Sequence, residues 1–424
     1  MRRHAGLGTL LSLSLAVASA CAPQAGPLHS TRSAPMAVGP DRPGDDSAGA
    51  WSAPARVWDV PSGQTVQSLS AVLRRDSVFA VANLLPSDPT RPLALHTAVL
   101  LAASGEVLAL PPGNFHFVHP KLLTDRTGTL HLLWAEPIEA APSGVAWTTM
   151  QTGSLWYASY AGSGWSAAEQ VVSEQSLGWG AEDGQAVLAP DQGLHVVLPA
   201  QGRSGRFSLI HLHGTGGRWA RSDLPVVATY ASITPLGRDS LLIAYSGLDT
   251  QDPGVKGVFW IRSDDGGRSW RTPGRVTGLA SDRGAAPALA RSVSGTVHLF
   301  WKATSATAPA TTLEHWRLGQ ESQEWVRLQP TPLPGLVLSA RVAAPTCEQP
   351  LVVVEAVTGD RVGLYEIRGS AGSPRVHPLF PEYIASASPA LIAEDAGLKM
   401  MWVAVLNDGG DPALLIADRS CGGR

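Results

Sequence analysis

Apolar and polar residues alternate along this chain in short runs, and the runs recur at a spacing of roughly 50 residues, the scale of a repeat architecture. The clearest copies are 119–134 (HPKLLTDRTGTLHLLW), 286–301 (APALARSVSGTVHLFW) and 388–402 (SPALIAEDAGLKMMW). Each reads as a short strand, a polar turn and a second strand of alternating apolar residues. Weaker copies begin near Ser68, Gln185, Ser232 and Arg341, which makes seven. A second element follows most copies: an aromatic-bearing strand, a Gly-rich turn, then Trp. Examples are 155–165 (LWYASYAGSGW), 209–219 (LIHLHGTGGRW), 258–270 (VFWIRSDDGGRSW) and 313–325 (LEHWRLGQESQEW).

Two hairpins per repeat make a four-stranded antiparallel sheet. One such sheet cannot bury both faces, but a ring of them packs face to face and leaves only short edges. The pattern therefore predicts an all-β fold, a β-propeller of seven four-stranded blades. Six blades is the alternative, if the copy near Ser68 or Arg341 is not a blade of its own. The last repeat begins at Ser388, and the chain runs out after 411–418 (DPALLIAD), which leaves room for about three strands. The segment 55–61 (ARVWDVP) resembles the Trp-bearing outer strands and is expected to complete the last blade, closing the ring.

Composition agrees with many turns and no long helical windows: 44 Gly, 33 Pro and 14 Trp in 424 residues. The formal charge is −3, and −5 once Arg2 and Arg3 leave with a leader. That gives no basic footprint for nucleic acid and no polybasic membrane patch. No phosphate-binding Gly loop, Cys-x-x-Cys pair or Gly-x-Ser-x-Gly elbow is present, so no cofactor is expected.

The N-terminus has two arginines, an apolar stretch from Leu7 to Val17, then Ala18-Ser19-Ala20-Cys21. This is the order of a secretory leader, and the stretch falls short of the roughly 20 residues that span a bilayer. Cys21 in this setting resembles the bacterial lipoprotein box, with Ala18 where the family usually has Leu. The resemblance implies lipidation at Cys21 and a membrane anchor in the cell envelope, at the outer membrane in a Gram-negative cell. An ordinary cleaved leader is the alternative. Residues 1–20 are read as signal peptide, 21–54 as a tether rich in Pro, Gly, Ser and Ala, and 55–424 as the propeller of a monomer. Cys347 and Cys421 then form an even pair in an exported protein, either as one disulfide or as two thiols.

Ser263, Asp265, Gly267 and Trp270 fit Ser-x-Asp-x-Gly-x-x-Trp without a mismatch. This resembles the Asp-box, or BNR repeat, of the sialidase superfamily of propellers. The resemblance implies a structural turn at the outer rim, with Asp bonding backbone N–H groups and Trp packing between sheets. It also sets a test for catalysis. A sialidase carries three arginines for the substrate carboxylate, a Tyr–Glu pair, an Asp acid/base and an early Arg-Ile-Pro segment, and that segment is absent here.

Polar residues that precede inner strands should gather at one end of the ring channel. Asp183, Asp282, Arg283, Glu382 and Tyr383 are the candidates for ligand binding there. His131, His195 and His298 share one repeat position and read as packing residues. His211 and His213 lie on one strand face, without an evident third metal ligand, so no metal is expected. The sequence thus predicts a non-catalytic, lipid-anchored propeller that binds a glycan, peptide or envelope protein. A divergent exo-sialidase-type glycosidase is the alternative.

Overall fold

The computed structural model describes residues 49–87, 97–137, 152–180, 184–201, 207–215, 217–252, 254–276, 286–303, 312–319, 324–343, 350–368, 374–394, 397–407 and 410–420. They form strands and turns, with no helix among them. The chain begins its fold with β1 (Ala55–Asp59), then builds six blades in order. Blade 1 is β2 (Gln64–Arg74), β3 (Ser77–Pro86), β4 (Thr97–Ala102) and β5 (Val107–Leu108). Blade 2 is β6 (Val118–Thr124), β7 (Leu130–Pro137), β8 (Thr152–Tyr160) and β9 (Glu169–Leu177). Blade 3 is β10 (Gln185–Leu188), β11 (Leu194–Gln201), β12 (Phe207–Thr215) and β13 (Arg218–Leu224). Blade 4 is β14 (Ala228–Pro235), β15 (Leu241–Leu248), β16 (Lys256–Ser263) and β17 (Gly274–Arg275). Blade 5 is β18 (Ala288–Arg291), β19 (Val297–Ala303), β20 (Thr312–Leu318) and β21 (Trp325–Arg327), with β22 (Thr331–Pro332) also on β20. Blade 6 is β23 (Leu336–Ala343), β24 (Leu351–Thr358), β25 (Arg361–Arg368) and β26 (Arg375–Leu379).

The seventh blade joins the two ends of the fold. β27 (Tyr383–Glu394), β28 (Gly397–Leu406) and β29 (Ala413–Ser420) supply three strands, and β1 pairs antiparallel with β29 as the fourth, Ala55 opposite Ile416 and Asp59 opposite Ala413. The fold is therefore the seven-bladed propeller that the repeats predict. The first strands of the blades touch in sequence, β2 to β6, β10, β14, β18, β23, β27 and back to β2, and line the channel.

The core is a set of layers between neighbouring blades. Trp134, Trp301 and Trp402, the last residue of each clear sequence copy, are buried in three of them, between blades 1 and 2, 4 and 5, and 6 and 7. The alternation of each second strand sends one set of side chains to each neighbouring blade. In β15, Leu242 and Ala244 face blade 5, while Leu241, Ile243 and Tyr245 face blade 3.

Contacts of the N-terminal segment start ahead of β1. Ser52 N–H donates to the Asp418 carbonyl at 2.7 Å, and Arg419 Nε donates to the Gly49 carbonyl at 2.6 Å. Trp51 Nε1 donates to Glu366 at 3.0 Å. Glu366 is fully buried and also pairs with Arg368 at 2.9 Å and Arg419 at 3.0 Å. One carboxylate thus ties blade 6, blade 7 and the N-terminal segment.

Between β16 and β17, Ser263 Oγ donates to Asp265 at 2.8 Å and accepts the Gly267 N–H at 2.8 Å. Asp265 accepts the Ser269 hydroxyl at 2.6 Å and its N–H at 2.9 Å, and these bonds hold its carboxyl down at about 2. Gly266 and Gly267 take φ of 73° and 84°, which favours glycine. Gly267 sits directly on His211 of blade 3, and Trp270 meets the same imidazole edge-on at 5.1 Å. Trp270 is half-buried. Trp270→Ala should therefore cost about 2–3 kcal/mol, less than the ~3–5 kcal/mol of a fully buried tryptophan. An unchanged urea midpoint would contradict this.

Buried imidazole pairs recur at one position in blades 3 and 5. His195 Nδ1 lies 3.0 Å from His211 Nε2, and His298 Nδ1 lies 3.0 Å from His315 Nε2. Burial, with Arg317 nearby, pushes His298 down to about 4; burial, His298 and Arg317 push His315 down to about 3. Both folded values lie below the unfolded imidazole value of about 6.5, so the unfolded chain takes up protons first. The pair's contribution is complete above pH 6.5 and is lost as pH falls towards 4. Urea midpoints should drop across that window, and His298→Leu/His315→Leu should flatten the drop.

Candidate functional site

All seven inner strands start at the same end of the channel, at Gln64, Val118, Gln185, Ala228, Ala288, Leu336 and Tyr383. That end is the mouth. The hairpin turns after the inner strands and the Ser263–Trp270 turn lie at the opposite end. Among the described residues, five inner strands carry a β-bulge close to the mouth: at Val66/Ser68, Val118/Lys121, Ala228/Tyr230, Val337/Ser339 and Ala385/Ala387. A bulge inserts an unpaired residue and re-aims its side chain, a device common beside binding sites. Leu338, the unpaired residue of one of these bulges, is 42% exposed.

Of the five candidate ligand-binding residues, Glu382 and Tyr383 are placed at this mouth. Tyr383 N–H bonds the Phe380 carbonyl at 3.0 Å, and the Glu382 carbonyl accepts Asn407 N–H at 3.0 Å. The Glu382 side chain is exposed, and Tyr383 is half-buried over the layer between blades 6 and 7. Asp183, Asp282 and Arg283 lie outside the described residues, as do Cys21, Cys347 and Cys421. Ser263, Asp265, Gly267 and Trp270 sit at the far end.

Several residues at the mouth were not singled out by the sequence. Leu336 is 44% exposed and Leu406 45%, and Leu406 pairs directly with Tyr383. Leu338, on the same strand as Leu336, is exposed as well, so the mouth carries exposed leucines in blades 6 and 7. Lys302 Nζ donates to the carbonyl of the bulged Leu338 at 2.8 Å. In blade 2, Lys121 lies 4.1 Å over the buried Trp179 ring and donates to the Gly184 carbonyl. Phe117 and His119 take φ of 46° and 45°, strained for residues other than glycine. The His116 N–H beside them donates to Glu136 at 2.8 Å, and burial pushes the Glu136 carboxyl upward.

Among the described residues, the buried acids are engaged in structural contacts. Glu355 accepts the Ser339 hydroxyl at 2.9 Å and the Ser388 hydroxyl at 3.0 Å, fastening blade 6 to blade 7. Glu314 pairs bidentately with Arg327 at 2.6 and 2.8 Å, and Glu366 closes the ring. Among the described residues, the inner strands carry three arginines. Arg74 and Arg291 end β2 and β18 at the far end, which leaves Arg341 within β23.

No protein-family model matches the sequence, and no curated protein matches it. Solved structures do. A protein of unknown function from Dyadobacter fermentans aligns with 88% of this chain and 100% of its own, at 11% identity and a TM-score of 0.51. An α-L-arabinofuranosidase of Fusarium graminearum covers 73% of this chain and 95% of its own, at 13% identity and a TM-score of 0.44. A Trypanosoma rangeli sialidase covers 84% of this chain and 55% of its own, at 9% identity and a TM-score of 0.47. The structural neighbours thus include glycoside hydrolase propellers, and at these identities the likeness concerns the fold alone.

Proposed function

We propose that this protein is a lipid-anchored, extracytoplasmic propeller that holds a glycan or peptide across its channel mouth without cleaving it. The observation that carries this reading is the exposure of Leu336, Leu338 and Leu406 at the mouth, with Leu406 paired to Tyr383 and Asn407 bonded to Glu382. Sugar rings and peptide side chains have apolar faces that lie on such a surface, and the flanking polar groups orient them. The engagement of Glu314, Glu355 and Glu366 in structural contacts, and the three arginines of the described inner strands lying at or towards the far end, favour binding over sialidase-type hydrolysis. The bond pattern of Ser263, Asp265, Gly267 and Ser269 supports reading that turn as an Asp-box. The order of arginines, apolar stretch, small residues and Cys21 supports the lipoprotein form.

The test is incubation with a fluorogenic sialoside and a fluorogenic arabinofuranoside, alongside glycan and peptide binding arrays. No turnover is expected, with binding that Leu338→Asp abolishes. Turnover that disappears in Tyr383→Phe would replace this reading with the glycosidase one. Cys21→Ala should release the protein from membranes, and a variant that stays membrane-bound would rule out the lipid anchor.

A further inference from the structure

We propose that the crevice between blades 1 and 2 at the channel mouth takes a hydroxyl group of a neutral glycan, received by Ser68 Oγ and Asn83 Oδ1. This rests on the reading of the mouth as a binding site and narrows its ligand from glycan or peptide to an uncharged sugar.

Ser68 and Asn83 are direct cross-strand partners on β2 and β3, so their side chains lie on one face of the blade. That face looks at blade 2. Two residues further from the mouth, Ser70 Oγ accepts the Leu122 N–H of β6 at 3.0 Å. Val81, and Ala98 opposite Asn83, pack in the layer between blades 1 and 2. Ser68 is 7% exposed and Asn83 0%, yet neither Ser68 Oγ nor Asn83 Oδ1 has a hydrogen-bond partner among the described residues. Asn83 Nδ2 donates to the Thr97 carbonyl at 3.1 Å, which orients the amide and leaves its oxygen as the free atom. A buried polar atom without a partner costs free energy, and folded proteins hold few of them. Blade 1 has two more on the same strand, Gln64 Oε1 and the Oε1 of the bulged Gln67, both closer to the mouth.

Blade 6 shows the same position closed. Ser339 and Glu355 are the cross-strand partners behind its bulge, and the hydroxyls of Ser339 and of Ser388 from the next blade both donate to Glu355. In blade 1 the corresponding pair has no such donor. Blade 2 meets it with the bulged stretch between Val118 and Lys121, where Phe117 and His119 hold left-handed φ of 46° and 45°. Phe117 is buried in the same layer as Val81. Backbone strain of this kind is found at ligand clamps. The strained stretch is the wall of the crevice that yields to admit a hydroxyl, because its movement relieves strain.

The chemistry of the pair selects the ligand. Asn83 Oδ1 accepts only, and the Ser68 hydroxyl donates or accepts. A sugar hydroxyl does both and satisfies the two atoms together. A carboxylate brings only acceptors to Asn83 Oδ1, and burying an ammonium against two neutral groups costs far more than burying a hydroxyl. A peptide N–H donates without accepting.

The experiment probes the full chain with an array of neutral and sialylated oligosaccharides and a peptide array beside it, then titrates the strongest ligand into the variants. That ligand is expected to be a neutral glycan. Ser68→Ala removes a hydroxyl that no bond of the fold uses, so the melting temperature should stay level or rise while affinity falls by about 3–10-fold. Ser70→Ala breaks the bond to Leu122 and should do the reverse, lowering the melting temperature and leaving affinity unchanged. A sialylated glycan or a peptide as the strongest ligand, a neutral glycan whose affinity survives Ser68→Ala, or a lower melting temperature in Ser68→Ala would overturn the hydroxyl subsite. If Leu338→Asp still abolishes binding in those cases, the mouth remains a binding site. Binding that neither Ser68→Ala nor Leu338→Asp alters, or no binding at all, would overturn both.

Discussion

A chain beginning at Gln64 is expected to be insoluble, or to form an open ring that melts far below the full fold. A chain beginning at Gly49 should behave as the parent does. The shorter chain loses every β1 pair with β29 and leaves that strand as a bare edge, open to pairing with another molecule. It also loses Val60, buried between blades 7 and 1, and Val57 and Trp58 packed on the same layer. Fully burying such a side chain is worth about 1.5–3 kcal/mol, and the half-buried Val57 and Trp58 add part of that on top of Val60 and the lost strand pairing. Such a loss is a large share of the roughly 5–15 kcal/mol that holds a domain folded. The measurement is soluble yield and melting temperature of the two chains side by side, and equal melting temperatures would place the ring closure elsewhere.

Glu366→Ala is expected to destabilise the fold by about 3–5 kcal/mol, the usual cost of removing one partner from a buried charge pair. The carboxylate is fully buried against Arg419 and Arg368, and burial already works against the Arg419 charge. Without Glu366 that cation is left uncompensated at the junction of blades 6 and 7. Trp51→Phe removes only the indole bond and should cost about 1 kcal/mol. The double variant should fall short of the sum, because both residues belong to one network. A loss below about 1 kcal/mol for Glu366→Ala in urea unfolding would mean that the cluster does not secure the ring.

The blades and their closure were legible in the sequence because each repeat announces itself locally. Alternation, a polar turn and a terminal tryptophan mark the first hairpin, and Trp134, Trp301 and Trp402 prove to be equivalent buried residues. Trp58 in 55–61 gave away the closing strand for the same reason. The mouth was less legible. A bulge changes register without needing a special residue, and alternation alone does not say which of the two faces of β23 meets solvent at the mouth. Glu366 reads as one more charge on a strand, since its partner Trp51 is 315 residues away. His211 and His213 suggested a shared strand face. Only pairing across the hairpin brings His195 between them.

The way β1 completes the last blade has a mechanical consequence. β1 runs from Ala55 at the far end of the ring to Asp59 at the mouth, antiparallel to β29. A pull on the chain ahead of Gly49 acts along the strand, so the β1–β29 hydrogen bonds share the tension in shear instead of opening one at a time. The Trp51–Glu366 and Gly49–Arg419 bonds sit at the loaded end and take the first strain. A propeller held from this side and tugged by a polymer at its mouth would resist force through the same contacts that close its ring.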